Sequence, residues 1–129
     1  LPSPPGFFII EPAREVMLFG VREKGDVTIL DLVGEIRLAA EASPSVQALV
    51  KEQLAAGKKK ILLNFDKVDF LDSYGVGDVL AAYVSTQEKG GKLKVFHLSS
   101  KIWLIFNYSG LTRIIETFDT EDRALQSFA

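Results

Sequence analysis

The sequence predicts one α/β domain, built on a mixed and mostly parallel sheet that opens with an antiparallel hairpin and carries about four helices. Three observations predict it. From Ser43 onward, short apolar runs alternate with amphipathic segments at helical spacing, the pattern of βαβ units with right-handed crossovers. Ahead of them stand two strand-like runs separated by Lys24-Gly25-Asp26, a connection of hairpin length. The chain has 129 residues, 47% hydrophobic and 25% charged, enough for one compact core and too few for two.

Residues 1–14 read as an N-terminal extension and residues 15–129 as the domain. Pro2, Pro4, Pro5 and Gly6 make a stiff, non-helical leader, after which Phe7-Phe8-Ile9-Ile10 needs burial before Pro12 interrupts it. The quartet has two open outlets: its own domain, or self-association through residues 7–10 with a second copy or a neighbouring chain. Met17 to Glu23 and Val27 to Val33 then form the hairpin. Ser43 reads as a helix cap with Pro44 at the first helical position. Val46, Leu49, Val50 and Leu54 follow at helical spacing, and Gly57 ends the segment.

Ile61 to Phe65 suits a strand buried on both faces, and Lys67 to Leu71 reads as a connector. Val76, Val79, Leu80, Tyr83 and Val84 mark one face of a second helix that closes at Gly90-Gly91. Leu93 to Leu98 is the next strand. Ser99 or Ser100 caps a third helix bearing Ile102, Trp103 and Phe106, and Gly110 stops it. Arg113 to Phe118 is the last strand. Thr120 opens a final helix with Glu121 and Asp122 in its first turn and Ala124, Leu125 and Phe128 on its inner face. The order is ββαβαβαβα, without internal repeats.

A formal charge of −2 and a pI near 5.4 leave no footprint for nucleic acid. The cluster Lys58-Lys59-Lys60 lies between a helix and an apolar run, and reads as a solvated turn in preference to a phosphate-binding patch. With no cysteine there is no disulfide, thiolate metal site or cysteine nucleophile. A single histidine, His97, excludes a His-rich metal site and leaves only a carboxylate site for Mg²⁺ open. No apolar run approaches the roughly 18 residues of a membrane span, and LPSPPGFFII lacks the basic flank of a secretory signal. A cytoplasmic protein with neither membrane nor nucleic-acid partner is expected.

The stretch FLDSYGVGD, Phe70 to Asp78, concentrates the chemistry. Ser73 at a helix start can simply cap that helix, worth roughly 0.5 to 2 kcal/mol. This leaves Gly75 and Gly77 unexplained, each costing about 1 kcal/mol against alanine in a helix. A phosphate-cradling loop fails, because GVGD lacks the four-residue gap and the Gly-Lys-Ser/Thr ending. A hydrolase elbow fails too, since Leu71 stands where glycine is needed and His97 is the one candidate base. What remains is modification of Ser73. A phosphate would bring about −1.5 to −2 charges to a helix N-terminus that tolerates them. It would also join Asp69, Asp72 and Asp78 in an acidic patch that repels a partner.

ILLNFDKVDFLDSYGVGDVL, followed by GGKLKVFHLSSKIWLIFNYSGLTRIIETFDTEDRAL, resembles the STAS domain of bacterial anti-sigma factor antagonists. The likeness runs from about Val16 to Phe128. Its motifs occur in the family's order: an apolar strand, Asp-Ser-x-Gly with Gly77 two places on, Gly90-Gly91, and Ser109-Gly110-Leu111. The resemblance implies a non-enzymatic switch that needs no cofactor. Its implied partner is an anti-sigma factor, a serine kinase of the histidine-kinase-like ATPase fold, whose capture frees a sigma factor for transcription. Phosphorylation of Ser73 would end the capture and a phosphatase would reset it. Asp72, Ser73, Tyr74, Gly75, Val76 and Gly77 would form the partner surface, with Glu35 and Arg37 in a loop nearby. Tyr74 replaces the family's usual small residue, and Arg37 stands where an aspartate is common. The alternative is an unphosphorylated STAS scaffold or sensor module, in which Tyr74 belongs to a fixed interface.

Overall fold

The computed structural model describes residues 17–38 and 45–129. The expectations for residues 1–14, including Phe7 to Ile10, and for Ser43 and Pro44 lie outside them. The described elements are β1 (Leu18–Lys24), β2 (Val27–Ile36), α1 (Val46–Ala55), β3 (Lys60–Leu71), α2 (Ser73–Glu88), β4 (Lys92–Phe96), α3 (Ser100–Ser109), a 3-10 turn (Leu111–Arg113), β5 (Thr117–Phe118) and α4 (Glu121–Gln126). The strands form one sheet in the order β1-β2-β3-β4-β5. The β1–β2 pair is antiparallel and all the others are parallel, so the expected mixed sheet with its opening hairpin is what forms.

Alternation along the central strands divides the core in two. Leu30, Leu32, Ile61, Leu63, Phe65 and Val95 face α1, α2 and α3. Val27, Ile29, Leu62 and Phe96 face the opposite way, where Ala124 and Phe128 cover them at the end of the chain. Strands buried on both faces read as unbroken apolar runs, which is why ILL in β3 carries no polar break. On the second face Arg22 bridges β1, β2 and α4. Its guanidinium donates to both oxygens of Asp31, at 2.6 and 2.8 Å, and to Glu121 at 2.7 and 3.2 Å. These hydrogen bonds from Arg22 outweigh desolvation and hold both carboxyls below their ordinary range.

Several local expectations are corrected. The cap of α1 is Ser45, whose hydroxyl accepts from Ala48 N at 2.9 Å, so the helix starts later than Ser43-Pro44 implied. Lys67 to Leu71 is strand, not connector: β3 takes up one extra residue opposite Asp31–Val33 and another opposite Gly34–Glu35, and with these two bulges it keeps pairing with β2 as far as Ile36↔Leu71. The predicted strand Arg113 to Phe118 is mostly turn, with only Thr117–Phe118 in the sheet. Val84 and Trp103 are each 44% exposed, outside the faces to which helical spacing assigned them. The inner face of α2 instead includes Ala82, Ser85 and Thr86.

Candidate functional site

The site forms where β3 delivers the chain into α2. Asp72 still has extended backbone, φ −100° and ψ −173°, and its carboxylate accepts the Gly75 N–H at 2.8 Å. Asp72, not Ser73, is therefore the cap of α2. The physical reason is a register of one: the cap is the last residue outside helical geometry, and Ser73 already lies within it. The other Asp72 oxygen accepts from Leu38 N at 3.4 Å, while Asp72 N–H donates to Ile36 O at 3.4 Å. One carboxylate thus ties the end of β2 to the start of α2. Ser73 is exposed, and among the described residues its hydroxyl makes no hydrogen bond.

The two glycines separate in role. Gly75 is buried, and a Cβ there would collide with the Ile36 carbonyl oxygen and lie 2.6 Å from Leu71 Cδ1. The close approach it permits is between α2 and β2 of the same domain. At Gly77 a Cβ would meet nothing within 4 Å, and the position is open to solvent. Val76 is half-buried against the core, and Tyr74 is 46% exposed.

Asp78 does not join a surface acidic patch. It is 8% exposed, and its carboxylate accepts Val46 N at 2.7 Å and Gln47 N at 2.9 Å. With Ser45 it satisfies three first-turn amides of α1, groups that a helix cannot satisfy itself. Capping from a neighbouring helix leaves no local sequence pattern, so the role was not legible beforehand. Asp69 remains exposed, with Lys101 Nζ 3.3 Å from its carbonyl oxygen and 5.6 Å from the Phe70 ring centroid. Glu35, opposite Phe70 in the sheet, forms an ion pair with Arg37, its Oε1 2.8 Å from Nε, so this pair adjoins the motif as an internally neutral unit. His97 lies at the end of β4, 3.5 Å from Asp66 and without a bond to Ser73. Ser73 therefore has no base to make it a nucleophile among the described residues, and its hydroxyl can act as an acceptor of a group delivered from outside.

Ser73 stands on a ridge between two hollows. A groove of about 370 Å³ separates the start of α2, with Leu71, Asp72, Ser73 and Val76, from Leu104, Ile105 and Tyr108 of α3. A second hollow, about 340 Å³, lies toward α1 between Ser45, Gln47, Tyr74 and Asp78. Leu104 and Tyr108 were missed in the sequence, although a signal was present: SKIWLIFNYS holds a single charge in ten residues.

Comparison with known proteins places this geometry among others. The family model described as the STAS domain matches residues 19–124. The anti-sigma-B factor antagonist of Listeria monocytogenes is 32% identical over 91 residues, covering 67% of this chain and 80% of that one. The crystal structure of an anti-sigma factor antagonist from Mycobacterium paratuberculosis superposes with a TM-score of 0.75 at 19% identity, over 86% of this chain and 92% of that one. The Bacillus cell fate determinant SpoIIAA in its phosphorylated form gives 0.63 at 24% identity, over 87% and 100%. Among the described residues, no helix is long and apolar enough to cross a membrane.

Proposed function

Because the chain belongs to the STAS domain family, we propose that it is an anti-sigma factor antagonist switched at Ser73. In its unmodified form it binds an anti-sigma factor through the ridge of Asp72, Ser73, Tyr74, Val76 and Gly77, and so frees a sigma factor. The anti-sigma factor is in turn a serine kinase of the histidine-kinase-like ATPase fold. It transfers the γ-phosphoryl group of ATP to Ser73 Oγ, releasing ADP and the hydroxyl proton, and a phosphatase later hydrolyses the ester.

The observation that carries this reading is the division of labour between neighbours: Asp72 caps α2, which leaves the exposed Ser73 hydroxyl without a hydrogen bond among the described residues. A phosphate there disturbs no hydrogen bond among the described residues, and the helix N-terminus supports it by roughly 0.3 to 1 kcal/mol. The partner meets something different, because about −1.5 to −2 charges arrive beside the Asp72 carboxylate. The domain keeps its fold while its binding surface becomes more negative.

Incubation with Mg-ATP and the anti-sigma kinase encoded in the same genome tests this. Mass mapping is expected to find one phosphate on Ser73, none on Ser73→Ala, and at least tenfold weaker kinase binding by Ser73→Asp. A scaffold with Tyr74 in a fixed interface predicts the opposite, equal binding by wild type and Ser73→Asp.

A further inference from the structure

Helix α3 carries large apolar residues on its exposed side as well as its inner one, beside the polar Lys101 and Asn107. Ile102 and Phe106 fill the core, whereas Leu104 is 58% and Tyr108 94% exposed. These two lie four residues apart on one flank, and large apolar side chains grouped on a surface mark an interaction site. The flank does not stand alone, because it is one wall of the groove whose other wall includes Val76 and Ser73. From this juxtaposition we infer that the α2–α3 groove seats an amphipathic helix of the anti-sigma factor, apolar against Leu104 and Tyr108 and uncharged where it passes Ser73. The inference rests on the function proposed above and specifies the partner chemistry at the same site.

Charge selects the occupant. Among the described residues Asp72 is the one charged residue lining the groove, and its carboxylate is already engaged by Gly75 N and Leu38 N. A charged segment would exchange its hydration for a largely apolar lining. The sign of the switch points the same way. A phosphate on Ser73 would hold a basic occupant more tightly, whereas it expels an uncharged one, because a doubly charged group cannot be left buried against hydrocarbon. Size agrees as well: a cavity of about 150 Å³ accepts a benzene ring, so the groove has room for two apolar anchors.

The test is titration of the anti-sigma factor encoded in the same genome against wild type, Leu104→Glu, Tyr108→Ser and a control, Leu18→Glu. Leu18 is equally apolar and 61% exposed, but it lies on β1. All three positions are surface sites, and thermal melts confirm folding of each variant. At least tenfold weaker binding is expected for Leu104→Glu and Tyr108→Ser, with no change for Leu18→Glu. Wild-type binding by both groove variants, or an equal loss in the control, overturns the inference. If Ser73→Asp releases the partner while the groove variants do not, the switch stands and the groove assignment falls; if wild type itself does not bind, both fall. Two other occupants would also overturn it. A wild-type dimer split by Leu104→Glu would identify a second copy, and a red shift of Trp103 emission on deleting residues 1–14 would identify Phe7 to Ile10.

Discussion

Asp72 and Ser73 are both good capping residue types, and they are adjacent. Sequence alone could locate the helix start to within a residue, but it could not decide which side chain reaches the Gly75 N–H. The structure gives that bond to Asp72 at 2.8 Å, and unequal stability effects follow. Asp72→Ala should destabilise the domain by about 1 kcal/mol for the lost cap, with a further loss from the Leu38 N–H. Ser73→Ala, at an exposed position whose hydroxyl has no partner among the described residues, should stay within about 0.5 kcal/mol of wild type. Urea melts of the two variants decide this. A larger loss for Ser73→Ala would return the cap to Ser73 and remove the argument that its hydroxyl is free for modification. Asp78 teaches the complementary lesson. As an acid in the motif it reads as surface charge, and only tertiary placement reveals that it closes the amide end of α1.

At the scale of elements, periodicity located every helix and strand core, and erred where neighbours decide the ends. β3 outlasts its apolar run because, with two bulges of its own, it keeps pairing with β2 as far as Ile36, and that extension sets the Ile36 carbonyl under Gly75. β5 is shorter than its apolar run because Leu111–Arg113 turns first. The glycine pair in α2, conspicuous in sequence, therefore divides into one packing position and one open position. Gly75→Ala should cost about 1 to 3 kcal/mol, since the collision is with backbone and α2 has to move away from β2. Gly77→Ala should stabilise by about 0.5 to 1 kcal/mol, because the added methyl meets nothing and the helix gains propensity. Denaturation gives both signs. If Gly77→Ala is also the variant that loses anti-sigma factor binding, the open glycine serves the partner; loss of stability at Gly77 would contradict the open position.

For the molecule as a whole, the layer order was legible because each face of the sheet writes its own apolar pattern, whereas the pin that holds the last helix was not. Arg22, Asp31 and Glu121 are 9 and 99 residues apart, and only the fold brings them together. This pin makes acid stability a property of the whole domain. Asp31 and Glu121 titrate below their ordinary range because Arg22 hydrogen-bonds their charged forms. The unfolded chain consequently binds protons that the native form refuses. The stabilisation is present above the unfolded carboxylate values, about 4, and is lost as pH falls through the depressed native ones. Partial exposure of the Arg22 and Asp31 side chains, 38% and 28%, screens the effect. Arg22→Leu should therefore cost only about 1 kcal/mol at pH 7. That gap should shrink as both proteins are melted at successively lower pH toward 3, since the wild type then loses what the variant never had. A gap that stays constant down to pH 3 would mean that the anchoring of α4 owes nothing to these carboxylates and rests on its other contacts, the packing of Ala124 and Phe128 and the Lys94–Ser127 hydrogen bonds.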